Sequence, residues 1–179
     1  LYCDGVEPSG KFKSYLNEKG YVVFDDLEQI TDLHQVEKYD LIVHFFVFEH
    51  IRDPFSFLQQ TIALLKPGGR IIAEIPCVND PLISLYEVPA FHDFYWSVAH
   101  HYYYSPKSLG YILQTLKLNY KILPEQRYDL SNHIIWMLEG KPGGQGRHYP
   151  VFSEELLQKY KRDLMEKWLC DTMFLIIEK

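Results

Sequence analysis

The residues of this chain best suited to proton chemistry sit at two places, Glu49-His50 and His100-His101. Imidazole titrates near neutral pH, so a histidine there can take a proton from a substrate hydroxyl. His100 and His101 lie in an aromatic stretch, FHDFYWSVAHHYYYSPKSL, over residues 91–109. Aromatic surroundings desolvate an imidazole and keep it neutral, which is the form a base needs. A histidine of the 100/101 pair and His50 are therefore candidates for a base. Carboxylates mark two further places, Glu7 in GVEPS and Asp25-Asp26 after YVVF. An ionised carboxylate only accepts hydrogen bonds, so at a strand tip it suits the paired hydroxyls of a ribose. Each residue also has a plainer reading. Glu49 and His50 can bond one another or backbone amides, and Glu7 can be a solvated loop acid. Asp25 or Asp26 can cap a short helix beginning near Leu27. The histidines can simply donate hydrogen bonds within a packed aromatic cap. His44 reads as a buried histidine with satisfied ring nitrogens, or as one flanking a ligand. His92, Asp93, His100 and His101 match no compact metal-ligand spacing, and no metal is expected.

The elements that must position these groups are clearest over residues 38–76, KYDLIVHFFVFEHIRDPFSFLQQTIALLKPGGRIIAEIP. Residues 41–48 form a nearly unbroken apolar run, which predicts a strand buried on both faces with Glu49 and His50 at its end. Asp53 then serves as N-cap and Pro54 as first residue of a helix. Phe55, Leu58, Ile62 and Leu65 share one face of it. Lys66 suits the negative end of that helix, and Pro67-Gly68-Gly69 stops it and turns the chain. Residues 70–76 are the next buried strand. Two strands joined through a helix make a parallel βαβ unit, and such sheets bind ligands at the strands' C-terminal edge. Around this unit the residues predict strands at 1–6, 21–24, 120–128 and 172–177. Helices are expected at 11–19 (capped by Ser9), 82–86, from Ser105-Pro106, and over 153–168. Residues 31–35 read as a turn or brief helix, and 129–140 as loop and short helix.

Composition narrows the class. With 179 residues, 47% apolar and 23% charged, the chain suits one soluble α/β domain spanning 1–179, with 91–116 and 129–170 as cap elements on the substrate side. A net charge of −6 argues against nucleic acid as partner. No apolar run approaches the ~20 residues that span a bilayer, so no membrane partner is expected. The start carries no signal-peptide pattern. Cys3, Cys77 and Cys170 are widely spaced and odd in number, and a reducing, cytoplasmic location is expected.

The string YDLIVHFFVFEHIRDPFSFL…LLKPGGRIIAEIP resembles the fourth-to-fifth-strand segment of class I S-adenosylmethionine-dependent methyltransferases, and most of all their small-molecule and sugar branch. The EH-x-x-DP step followed one helix later by L-K-P-G-G carries the resemblance, and GVEPS is similar to the family's second-strand end. The resemblance implies a Rossmann-like sheet, mostly parallel, whose last strand pairs antiparallel with the strand at residue 120. It implies S-adenosylmethionine as cofactor, with Glu7 on the ribose, Asp26 or Leu27 at the adenine edge, and Phe45 and Phe46 beside it. His100 matches the histidine that precedes an aromatic-Ser helix start in that branch. Tyr102, His101 and Asn132 are expected to touch the acceptor, a small molecule such as a sugar or nucleotide-linked sugar. The family's first strand and D-x-G-x-G loop are not present before GVEPS, so an N-terminally incomplete domain is expected. The alternative is a non-catalytic methyltransferase-like binding domain, or a fragment without the cofactor loop.

Overall fold

The computed structural model describes residues 2–32, 37–148 and 150–179. In chain order the elements are β1 (Asp4–Val6), α1 (Gly10–Glu18), β2 (Val22–Phe24), α2 (Leu27–Asp32), β3 (Tyr39–Phe45), a 3-10 turn (Phe48–His50), α3 (Pro54–Leu64) and β4 (Leu65–Pro76). There follow α4 (Pro81–Ser84), α5 (Pro89–Tyr95), α6 (Pro106–Thr115), β5 (Asn119–Glu125), α7 (Leu130–Glu139), α8 (Glu154–Glu166) and β6 (Thr172–Glu178). The helix starts are set as the sequence predicts. Asp53 accepts from the Ser56 N–H with Pro54 next in line, Ser105 forms a capping box with Ser108, and Ser153 accepts from the Leu156 N–H.

The main sheet runs β3-β4-β6-β5. β3 and β4 are parallel, and β6 lies antiparallel between β4 and β5. The expected antiparallel closing strand is thus present, and it pairs with β4 as well as with β5. This is an α/β fold of Rossmann type. Alternate residues of the two central strands point into one core: Ile71, Ala73 and Ile75 of β4 and Met173, Leu175 and Ile177 of β6 are fully buried. Leu58 of α3 and Leu109 and Leu113 of α6 close over them. β1 and β2 form a separate parallel pair. Asp4 ties the start of β1 to the start of β3, accepting from Lys38 Nζ at 2.7 Å and Tyr39 Oη at 2.6 Å. Burial pushes the Asp4 carboxyl up, but those hydrogen bonds outweigh it and hold the group below the usual carboxylate range.

Several expectations are corrected. β3 is not buried on both faces. Ile42 and His44 turn to the α3 side, whereas Leu41, Val43 and Phe45 are 52%, 51% and 50% exposed. Among the described residues no strand pairs with the other edge of β3 and no helix covers that face. The strand also stops at Phe45, because Phe46 takes a left-handed backbone (φ 56°). The Lys66-Pro67-Gly68-Gly69 stretch is not a helix end: β4 already begins at Leu65, directly after α3. The pairing with β3 shifts register there, between Tyr39 and Leu41, with Gly68 at φ 78°. A Cβ on Gly69 would meet the Lys66 carbonyl at 2.9 Å and the Tyr39 carbonyl at 3.1 Å, so the bulge admits only glycine. Lys66 pairs with Asp40 rather than with a helix terminus. Ser9 holds the N-cap position of α1 but gives no side-chain bond; its N–H donates to the Glu7 carboxylate. Thr31 falls within α2, and the rest of the turn expected at 31–35 reaches beyond the described residues.

Candidate functional site

The left-handed corner at Phe46 sets the site. A bulky aromatic residue held there costs about 1–3 kcal/mol, which the surroundings must offset. The Phe46 N–H donates to the Glu74 carbonyl, and the Arg127 guanidinium lies 4.4 Å over its ring. The chain then enters the 3-10 turn, where Phe48 is fully buried against Phe57 and Tyr104. Glu49 follows into the interior and is 2% exposed, with Oε2 lacking any partner. The loop between α5 and α6 wraps this turn. The N–H groups of His101 and Tyr102 both donate to the Glu49 carbonyl, at 2.9 and 3.2 Å. His50 Nδ1 lies 2.8 Å from the Ala99 carbonyl, which can only accept, so Nδ1 carries the hydrogen. That leaves the Nε2 lone pair free, 3.9 Å from Glu49 Oε1. The His100 ring stands 4.7 Å from that of His50, its Nδ1 buried without a partner. The Tyr104 hydroxyl, close enough to feel the Glu49 charge, is likewise buried and unpartnered.

Burial dominates the electrostatics of this corner. It raises the Glu49 carboxyl, against a weaker pull from His50. It lowers the His100 imidazole, helped by the charge of His50. A lowered imidazole is neutral at pH 7 and able to accept a proton. Outside the corner, Tyr102, Tyr104, Ser105, Lys107 and Tyr111 line an open depression of about 490 Å³. The Tyr102 hydroxyl donates to the Arg52 carbonyl at 3.1 Å.

The fold therefore brings His50, His100, His101 and Tyr102 together, although residues 50 and 100 lie far apart in sequence. Asn132 is placed at the first turn of α7. Its N–H donates to Asp129, and its backbone is pressed against Gly144. The carboxylates on the first strands are partly committed. Glu7 sits just past β1, with one oxygen accepting from Ser9. Asp26 caps α2 by accepting from the Gln29 N–H, the plainer role the sequence allows, and Asp25 pairs with Lys13. Leu27 opens α2, Phe45 ends β3, and Phe46 is the left-handed residue that follows it. The chemistry of these residues fits an adenosine: Glu7 is a strand-tip carboxylate with one oxygen not used by Ser9, Phe45 is exposed, and Leu27 and Phe46 are partly so. A glycine-rich cradle for the amino-acid end is not among them. Two features escaped the sequence reading. Glu49 takes the loop's N–H groups on its backbone carbonyl, where the sequence suggests its side chain, and its buried carboxylate has Oε2 unpartnered. Arg127 bridges Glu74 at 3.5 Å and Asp171 at 3.7 Å beside the Phe46 corner. No local spacing links residues 74, 127 and 171.

His44 is corrected as well. Its ring nitrogens are buried without partners, edge-on to Phe57 and stacked on Phe48. Burial pushes this imidazole down from 6.5 to about 4. The unfolded chain therefore binds a proton that the folded protein refuses between those two values. Stability must fall as pH drops through that window, by about 3 kcal/mol in all. His44→Phe keeps the ring and removes the titration. Its urea midpoints at neutral and mildly acidic pH should lie closer together than those of the unsubstituted protein. An equally wide gap would clear His44 of that role.

Comparison with known proteins agrees with this architecture. The sequence profile of a family described as methyltransferase domain matches residues 4–122. No curated protein matches the chain. Among solved structures, a SAM-dependent methyltransferase from Archaeoglobus fulgidus is similar at 19% identity and a TM-score of 0.58, over 98% of this chain and 75% of that one. A possible histamine N-methyltransferase from Thermotoga maritima is similar at 18% identity and a TM-score of 0.58, over 98% and 72%. The plantazolicin methyltransferase BamL, solved with a desmethyl-plantazolicin analogue and SAH, is similar at 13% identity and a TM-score of 0.57, over 98% and 67%. At these identities the structures establish a shared fold. No helix among the described residues is long and apolar enough to cross a membrane.

Proposed function

We propose, because this chain belongs to the methyltransferase domain family and is an S-adenosylmethionine-dependent methyltransferase of class I fold, that its acceptor is a small hydroxylated molecule, a sugar or nucleotide-linked sugar first. The observation that carries the reading is the meeting of Glu49, His50 and His100 beside the tyrosine-lined depression. Tyrosine faces stack on the apolar face of a sugar ring, and the depression is open enough to admit one. S-adenosylmethionine, when bound, supplies an electrophilic methyl group on a sulfonium. Glu7 would accept from its ribose hydroxyls, with Leu27, Phe45 and Phe46 flanking the adenosine. Asp26 serves as the cap of α2 and lends position rather than contact. His100 is the first group to take the acceptor proton: its imidazole is kept neutral by burial and its Nδ1 is unspent. His50, held by Ala99, is the second. His101 and Tyr102 hold the loop against Glu49 and turn the depression toward the corner. The elements over 91–116 and 129–170 form the acceptor-side cap, α5 packing on α7 through Phe91 and Trp136 at 4.8 Å. Asn132, on α7, belongs to that cap.

A second reading has its own support. The uncovered apolar face of β3, with Leu41, Val43 and Phe45 half exposed, suits a binding domain whose open sheet edge takes another strand. Titration calorimetry with S-adenosylmethionine and S-adenosylhomocysteine, on the longest natural chain that carries these residues, separates the two. Saturable heat with both compounds is the expected result. No heat with either, at protein concentrations well above micromolar, leaves the binding-domain reading in its place.

A further inference from the structure

The chain holds its polar groups at the Phe48–His50 turn in a way that a proton transfer alone does not require. Glu49 is buried with Oε2 unpartnered, His100 Nδ1 is buried and unpartnered, and His50 presents a free Nε2. Leaving a buried carboxylate oxygen unsatisfied is expensive, about 1–3 kcal/mol or more for a charged group. One ligand atom from each of Glu49, His50 and His100 lies within 4.8 Å of the other two. The spacing of His92, Asp93, His100 and His101 along the chain does not suggest this trio, because Glu49 and His50 come from a different strand end.

We propose that Glu49, His50 and His100 bind one divalent transition-metal ion, and that its open positions take the acceptor's oxygen. Two imidazoles and one carboxylate disfavour magnesium and calcium, which prefer oxygen, and suit zinc, iron(II), cobalt or manganese. Zinc bonds these donors at about 2.0–2.2 Å, so tetrahedral ligand atoms stand about 3.4 Å apart. The three donor atoms, within 4.8 Å of one another in the free protein, draw together to that spacing when the ion binds. The His50 Nδ1–H to Ala99 carbonyl bond is the outer hydrogen bond that fixes a ligating imidazole's tautomer and aim. Three protein ligands leave the ion coordinatively open, and a hydroxyl bound there loses its proton to solvent more easily. With the ion present, His50 and His100 hold it, and the ion does what a free imidazole does without it. Only the acceptor clause rests on the methyl-transfer reading; the metal site stands on the trio itself.

The test is a Co²⁺ titration of the full chain followed by visible absorption, with Zn²⁺ added afterwards. One equivalent of Co²⁺ should give visible bands stronger than those of the free ion, and Zn²⁺ should abolish them. Glu49→Gln keeps side-chain size, and the His50 side chain is 41% exposed, so Glu49→Gln and His50→Ala should both stay folded. Each should weaken Co²⁺ binding by about 100-fold or more, since even outer-shell changes cost about 10–100-fold. No enhanced band, or an unchanged titration in either variant, overturns the proposal. Neither S-adenosylmethionine nor acceptor is present, so this result and the calorimetric one can fail separately.

Discussion

Replacing His100 by alanine is expected to slow methyl transfer by about 10²- to 10⁴-fold, the usual worth of a positioned proton acceptor, while S-adenosylhomocysteine affinity stays where it was. The split follows from where the residue sits. Its ring faces His50 at 4.7 Å and its Nδ1 is unspent, so the side chain serves the corner. The loop carrying it is anchored by other groups, the His101 and Tyr102 N–H donors on the Glu49 carbonyl, and alanine leaves those in place. The pH profile carries a second signature. Burial lowers the His100 imidazole below its ordinary 6.5, so the acidic limb of the rate profile should lie below that value. Single-turnover rates across pH, beside a calorimetric titration of the product, read both. Full turnover in His100→Ala would remove the residue from the reaction, and His50→Ala would then be the decisive variant.

Much of this domain could be read from the chain alone, and the limits of that reading are physical. Asp53-Pro54 and Ser105-Pro106 started helices where they stand because capping is decided by a few adjacent residues. The apolar run at 41–48 reads as a strand covered on both faces, since its lack of alternation says that both faces are apolar. It cannot say whether another layer is present to cover them. The strand's end was overshot for a similar reason. Phe46 reads as one more β-favouring residue, and its left-handed turn is imposed by Glu74 and Arg127, which arrive from β4 and the segment after β5. Lys-Pro-Gly-Gly was read as a stop when it is a bulge inside β4, because turn chemistry and bulge chemistry use the same glycines. At the site, His50 and His100 were named one by one from their surroundings. Their meeting with Glu49 depends on the loop after α5 crossing back to the Phe48–His50 turn, a long-range pairing that no spacing along the chain records.

Asp171→Ala should cost the fold about 3–5 kcal/mol, the range for removing one member of a buried charged network, and lower the melting temperature by about 10 °C. Asp171 is 4% exposed at the start of β6. Its carboxylate accepts from the Arg127 and Tyr128 N–H groups, each at 3.1 Å, and from the Gln126 amide at 3.4 Å. Its own N–H donates to the Gln126 side-chain amide oxygen, Oε1. Burial raises this carboxyl, and the Arg127 and Tyr128 bonds recover only part of that, so the group is held at a net cost that its bonds repay elsewhere. Alanine strands two backbone donors and a buried amide. Asparagine keeps one accepting oxygen, and Asp171→Asn should lose less than half as much. The effect should also reach the site. Arg127 leans on Asp171 at 3.7 Å while covering the Phe46 ring, and Phe46 holds the strained corner from which Glu49 and His50 hang. Assayed well below its melting temperature, Asp171→Ala should therefore lose turnover even while folded. Undiminished turnover in folded Asp171→Ala would sever this link between the entry to β6 and the corner.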